Sequence, residues 1–317
     1  MQQAPILLIG FNRPERLARL IDSLRPLAPP ILRIAIDGPR FTVESDKDLV
    51  RKTADVAYQV DWEADLSVHL HPNNLGITEA IPWAVSWVLE QFDRVIVIED
   101  DVTVGHQFLE FASAALTYWE DDSSTFAISG YNMVPQSNIS TPHLAARYSK
   151  LPHSYAWATW RRAWVLFDSQ MRWAQNQNLR SLQRKTGSLI RAIRWQQLFR
   201  HVRHNRVTTW DYQWVQSIWA HDGRVVVPNH NLIEYHGQTD GTHTERSRSW
   251  EELTTRQVPI GSVMQLKLDV PIDERADAFV YKFGHRASLV GVILGFLEGP
   301  VIRVKHRWPR RRKTISR

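Results

Sequence analysis

The chain has 317 residues, of which 43% are hydrophobic and 23% charged; this is ordinary for a soluble globular protein and too apolar for a disordered one. It has no cysteine, which excludes disulfides and thiolate metal sites and fits a reducing compartment. The net charge of +6 is local: eight of the 39 basic residues fall between Arg303 and Arg317 with no acid among them, leaving 31 against 33 acidic residues. A second run, Arg180 to Arg206, holds another eight Lys or Arg and no acid. An acidic body with two cationic patches suits an anionic membrane or an anionic substrate as well as nucleic acid, although nucleic acid is not the partner expected for the chain as a whole.

In chain order, Ile6 to Gly10 is apolar and short enough for a strand, and Asn12-Arg13-Pro14 then opens a helix with Leu17, Leu20, Ile21 and Leu24 on one face. Ile31 to Ile36 predicts a second strand ending at Asp37-Gly38-Pro39. A helix over 47–58 leads to a strand from Ser67 to His71, and Asn73-Asn74-Leu75-Gly76 is a turn. A helix over 77–91 precedes the run Val95-Ile96-Val97-Ile98, which delivers Glu99-Asp100-Asp101, and another helix starts near Gly105. This alternation predicts an α/β fold of βαβ units around a mostly parallel sheet.

In such a sheet the junctions Asn12-Arg13, Asp37, Asn74 and Glu99-Asp100-Asp101 lie along one rim, where ligands collect. Adjacent carboxylates repel one another and need a cation or a set of donors to hold them. A hard divalent ion takes carboxylate oxygens on one side and phosphate oxygens on the other, so the triplet is a candidate metal and nucleotide site. The competing reading is a solvated acidic turn before the next helix. Neither a Gly-x-Gly-x-x-Gly string after the first strand nor a Gly-Lys-Ser/Thr loop occurs, so a dinucleotide fold or P-loop is not supported.

After Gly130 the sequence turns aromatic and loop-rich. Ser154 to Trp164 is expected to turn into a helix, Asp211 to His221 is a second one, and Val225 to Pro228 is a short strand. Gly237 to Thr244 reads as a glycine-bearing loop, whose His243, like the nearby His236, could supplement a metal or phosphate site. Many of the 14 tryptophans lie between Trp157 and Trp250. Trp157, Trp160 and Trp210 could form a flat acceptor-binding wall, with core packing as the alternative. The expected organisation is 1–130 as a nucleotide-binding half, 131–250 as the acceptor-binding and catalytic half of the same domain, and 251–317 as a helical C-terminal extension.

Within that extension the apolar stretch Ala287 to Ile302, interrupted by Glu298 and Pro300, falls short of the roughly 20 residues that span a bilayer. With the basic tail behind it, it reads as an amphipathic segment that binds an anionic membrane surface, against the alternative of a core helix with a solubilising tail. No basic leader precedes Pro5-Ile6-Leu7-Leu8-Ile9, so the expected location is cytoplasmic, peripheral on the inner face of the plasma membrane.

Taken in order, Ile-Gly-Phe-Asn-Arg-Pro, Ile-Asp-Gly-Pro, Asn-Leu-Gly, Val-Ile-Val-Ile-Glu-Asp-Asp, Ala-Trp-Ala-Thr-Trp-Arg-Arg-Ala-Trp and Thr-Trp-Asp-Tyr-Gln-Trp resemble bacterial GT-A glycosyltransferases. The family known best among these is the one typified by N-acetylglucosaminyltransferase I, glycosyltransferase family 13. The resemblance runs from about Leu7 to Thr244. It implies a GT-A, Rossmann-like fold and an inverting transfer from a nucleotide-sugar donor, such as a UDP-sugar, to a glycan or lipid-linked glycan acceptor. It also implies a divalent cofactor, Mn2+ or Mg2+.

Carried over by position, Asp101 would ligate the metal, while Glu99 and Asp100 would face the ribose and the donor sugar. Arg13 and Asp37 match nucleotide contacts, Asp37 accepting from the uracil edge, and Asn12 and Asn74 share their rim. The general base is the acid after a tryptophan, here Asp211 after Trp210; Tyr212 stands where the family has a second acid. A donor-binding histidine has no counterpart, since Thr78 and Glu79 occupy that region. The expected function is bacterial surface-polysaccharide or lipopolysaccharide synthesis. Two rivals remain: a sugar-phosphate nucleotidyltransferase, which lacks its usual glycine-rich basic loop here, and a non-catalytic carbohydrate-binding protein, which gives Asp211 and the triplet no role.

Overall fold

A computed structural model describes residues 4–236 and 271–296. An eight-stranded sheet forms its centre, in the order β3-β2-β1-β4-β8-β6-β9-β7. The strands β1 (Ile6–Gly10), β2 (Ile31–Ile36), β3 (Asp65–Leu70) and β4 (Arg94–Glu99) are mutually parallel. β1, β2 and β4 are mainly apolar and largely buried, as strands covered on both faces require, while the edge strand β3 alternates polar and apolar residues and is part-exposed. Helices α1 (Pro14–Leu24), α2 (Glu44–Ala57) and α3 (Ile77–Leu89) make the crossovers, and the predicted stripe Leu17, Leu20, Ile21 and Leu24 is buried. The chain steps outward from β1 to β2 to β3 and then returns to place β4 on the other side of β1. The strand order reverses at β1, and in an open α/β sheet the crevice where ligands bind lies outside the carboxyl ends of the strands at such a point, here β1 and β4.

The second half of the sheet is mixed. β8 (Ala156–Trp160) lies antiparallel between β4 and β6 (Thr125–Ser129); β6 pairs in parallel with β9 (Arg224–Pro228), and β7 (Ala146–Ser149) closes the edge antiparallel to β9. Six of the eight strands run in one direction and only β8 and β7 oppose them, so the sheet is mostly parallel as expected from the sequence, with its antiparallel pairs confined to the second half. The expected helix over Ser154 to Trp164 is corrected: Ala156–Trp160 is a fully buried strand, and only Arg161–Trp164 (α5) is helical. Alanine and arginine favour a helix there, but two sheet neighbours supply the backbone partners for a strand, and tertiary pairing outweighs local propensity.

A two-stranded ribbon pairs β5 (Val102–Val104) with β10 (Ile233–Tyr235) beside the acidic triplet. The remaining helices are α4 (His106–Tyr118), α6 (Arg172–Gln175), α7 (Leu179–Thr186), α8 (Leu189–Arg203) and α9 (Asp211–Ala220). Past the undescribed stretch, α10 (Glu274–Phe279) continues into one π-helical turn, Val280–Gly284, and a further helix, α11, covers 289–296. Asp273 caps α10 by accepting from the Ala276 N–H at 2.9 Å, and Asp277 fixes the helix to β7 by accepting from Ser149 Oγ at 2.6 Å. No described helix is long and apolar enough to cross a membrane.

Candidate active site

The end of β4 carries Glu99-Asp100-Asp101 into the crevice, and the end of β1 carries Arg13 to meet them. Arg13 Nη1 lies 3.6 Å from Asp100 Oδ1, with the Asp100 side chain only 11% exposed. Arg16, one turn further along α1 and 8% exposed, adds a second positive charge that acts on both Asp100 and Asp101. Even so, burial dominates. It pushes the Asp100 carboxyl up to about 6, against the pull of Arg13 and Arg16. Burial also raises Glu99 far above the ordinary carboxylate range, and repulsion from Asp101, Asp100 and Asp211 adds to that. Asp101 is raised too, chiefly by burial, while Arg16, Arg13 and His236 oppose the shift.

Asp101 Oδ1 is buried and accepts no hydrogen bond. A buried carboxylate oxygen without a donor costs on the order of 1–3 kcal/mol, more if charged, so this atom calls for a cation. Among the described residues no three His, Asp or Glu side chains close into a metal-binding group. One or two carboxylates, Asp101 first, could hold an ion only with ligand phosphates completing its shell, the way Mg2+ is commonly bound. His243 lies outside the described residues. His236 is positioned by the ribbon: its N–H donates to the Asp101 carbonyl at 2.7 Å, and its Nε2 is 2.9 Å from Thr103 Oγ1.

Asp211 reaches the same crevice from the other half, at the first turn of α9. Its Oδ1 accepts from the Tyr212 N–H at 2.9 Å and from the Thr209 hydroxyl. The amino end of a helix favours a carboxylate, and these donors orient it. Thr78 Oγ1 donates to the Thr209 carbonyl at 3.4 Å, which ties the amino end of α3 to the same loop. Its negative charge acts on Glu99 and helps to raise that carboxyl, which links Asp211 electrostatically to the triplet.

Other expected site residues have different roles in the structure. Asp37 is already saturated: Oδ1 accepts from the N–H groups of Gly38 at 2.9 Å and Leu75 at 2.8 Å, and Oδ2 from Asn74 Nδ2 at 2.7 Å and the Gly76 N–H at 2.9 Å. A carboxylate offers about four acceptor positions, so none remains for a uracil edge, and that expectation is corrected. Asn74 spends both amide hydrogens on this clasp, donating to Gly38 O as well at 3.0 Å. Gly38 is required there because a Cβ would come within 2.4 Å of the Asn73 carbonyl carbon. Asn12 Nδ2 donates to the fully buried Asp46 at 2.8 Å, joining the β1 loop to α2 instead of facing the crevice as expected.

The acceptor wall is corrected as well. Trp157, Trp160 and Trp210 are each 2% exposed. Trp157 stacks on Trp210 at 5.2 Å and lies 5.8 Å from Trp164, so its faces are spent on the core. Trp160 sits opposite Arg94 at the far end of β4 from the acids; its Nε1 donates to Leu116 O at 3.0 Å and the Arg162 guanidinium covers its ring at 4.3 Å. The aromatic rings beside the triplet are instead Tyr155, whose carbonyl accepts from the Glu99 N–H at 3.1 Å, and Tyr235, 4.6 Å from it. Sequence reasoning missed these tyrosines and Arg16. The signal for Arg16 was its place three residues after Arg13 on the predicted helix.

No family model matches the chain. It is similar to an alpha-1,3-mannosyl-glycoprotein 2-beta-N-acetylglucosaminyltransferase of Arabidopsis thaliana, with 24% identity over 176 residues, which cover 52% of this chain and 39% of that protein. The similarity supports a relationship to a glycosyltransferase, and the α/β sheet with its open crevice is compatible with a Rossmann-like fold of that class.

Proposed function

We propose that the chain is a metal-dependent, inverting glycosyltransferase that moves a sugar from a nucleotide-sugar donor, a UDP-sugar, to a hydroxyl of a glycan or lipid-linked glycan. One observation carries the reading. The buried, donor-less oxygen of Asp101 sits inside a carboxylate cluster at the carboxyl end of β4, and the charge of a separate, oriented carboxylate, Asp211, acts on Glu99 of that cluster. A solvated acidic turn explains neither the burial nor the pairing. The similarity to a curated sugar transferase gives independent support.

Asp101 would hold the ion together with the donor's phosphates, with His236 beside it. When bound, a divalent ion would neutralise the charge that gathers on the departing nucleoside diphosphate. Arg13 and Arg16 would add fixed positive charge at the same place. Asp211 would accept the acceptor's hydroxyl proton as that oxygen bonds to the anomeric carbon and the carbon–phosphate oxygen bond breaks on the opposite face, which inverts the centre. Tyr235, part-exposed beside the triplet, would offer a ring to a sugar in place of the buried tryptophans, with Tyr155 packed behind it. Placement of the acceptor in bacterial surface-glycan synthesis rests on the sequence resemblance.

The test is a panel of UDP-sugars with and without Mn2+, read by thermal shift and by release of UDP. The expected result is a rise in Tm that needs both metal and nucleotide sugar, with slow UDP release. Pyrophosphate release from a nucleoside triphosphate and a sugar phosphate would instead identify a nucleotidyltransferase and overturn the proposal.

A further inference from the structure

Helix α11, residues 289–296, has the sequence Leu-Val-Gly-Val-Ile-Leu-Gly-Phe and no polar face. One stripe, Gly291, Val292 and Gly295, is buried. It is held against α8: Gln197 Nε2 donates to the Val292 carbonyl at 3.0 Å, and a Cβ on Gly295 would come within 2.5 Å of both Arg194 Nη1 and Gln197 Oε1. Arg194 Nε also donates to the His285 carbonyl at 3.0 Å, just before the helix. The other five side chains, Leu289, Val290, Ile293, Leu294 and Phe296, are between 43% and 66% exposed. A helix that is apolar all round is normally covered all round, and here glycine packing covers one side only. Contiguous exposed apolar surface of this kind marks a docking face.

Charge identifies what docks there. The neighbouring α7–α8 stretch, Arg180 to Arg206, contains eight Lys or Arg and no acid, and Arg184, Arg200, Arg203 and Arg206 are exposed. In the sequence, six residues separate Phe296 from the basic run Arg303 to Arg317, which lies outside the described residues. An aliphatic ridge packed on a cationic helix and followed in sequence by a basic run matches the acyl boundary beneath anionic head groups. The ridge carries no polar side chain to set the register of a protein partner. At about 1.5 Å per residue the helix is about 12 Å long, far short of the roughly 30 Å hydrocarbon core, so it would lie in the surface plane.

We propose that helix 289–296 seats this protein on an anionic lipid surface, its exposed apolar side chains entering the bilayer boundary and the flanking cations holding the head groups. The proposal stands independently of the glycosyl-transfer reading. Its test is co-sedimentation of the full chain with phosphatidylcholine vesicles with and without phosphatidylserine. The expected result is binding that needs phosphatidylserine and weakens with salt. A double variant, Ile293→Ser with Phe296→Ser, changes only exposed side chains; it should keep the wild-type Tm while vesicle affinity falls roughly tenfold or more. Replacing Arg310, Arg311, Arg312 and Lys313 by Gln should cost roughly tenfold or more at low salt. Wild-type protein that ignores phosphatidylserine vesicles would overturn the proposal, as would a double variant that binds them like wild type. A wild-type dimer that the double variant converts to monomer, without vesicle binding, would assign the ridge to a second copy of the chain instead.

Discussion

The loops that follow β2 and β4 both put aspartates at the carboxyl end of a buried parallel strand, and they use them in opposite ways. Asp37 takes four N–H donors and clasps two loops together. Asp101 keeps a buried oxygen with no donor, beside two further acids and two arginines. Rim position alone therefore does not make a carboxylate functional. The supply of local donors decides whether it stabilises the fold or waits for a ligand.

The largest effect that separates the two kinds of acid is expected at Asp211. Asp211→Asn keeps the shape but removes the base, so turnover should fall by about 10²–10⁴ while donor affinity and Tm stay near wild type. Turnover within a few-fold of wild type would remove Asp211 from the chemistry. The mirror experiment is Asp37→Asn, which sets an amide against the Asn74 and Gly76 donors. It should lower stability by about 2–4 kcal/mol in urea titrations, with the folded fraction still binding donor. Loss of donor binding without loss of stability would return Asp37 to the site.

A smaller effect tests the second half of the sheet, where burial acts on a histidine. His153 is held down to about 3, first by burial and then by the positive charge of Arg147. Its folded pKa lies below the unfolded value near 6.5, so the unfolded chain takes up the proton first. Stability is lost as pH falls below about 6.5 and on toward 3. His153→Phe should remove that slope, worth up to about 1.4 kcal/mol per pH unit between pH 6 and 4, relative to wild type. Parallel stability curves for the two proteins would contradict the buried neutral assignment. The smallest effect is at Trp160. Trp160→Phe should cost about 1–2 kcal/mol of stability and leave acceptor KM unchanged; a raised KM would restore it to an acceptor wall.

The parallel half was legible because apolar runs bounded by Gly, Pro and Asn leave little choice, and β1 and β2 fall at the predicted residues Ile6–Gly10 and Ile31–Ile36. Ala156–Trp160 was misread because its partners, β4 and β6, are distant in sequence and only they make it a strand. The candidate positions Arg13, Glu99, Asp100 and Asp101 could be found from residue type and order, and Asp211 from the resemblance; the structure sets Arg13 against Asp100 and lets the charge of Asp211 act on Glu99. The clasp at Asp37 could not be read, because two of its four donors are backbone groups of residues 75 and 76, whose direction depends on a turn. Nor could the burial of Trp157 and Trp210, since a ring suited to stacking on a sugar is equally suited to a core.

The most direct test of the central claim is calorimetric binding of UDP with and without Mn2+ by wild type and by Asp101→Asn. The account predicts that Mn2+ strengthens UDP binding to wild type by at least about tenfold and leaves binding to the variant unchanged, because the metal-holding oxygens have been altered. Equal manganese dependence in both proteins, or binding to wild type through Arg13 and Arg16 with no response to the metal, would contradict it.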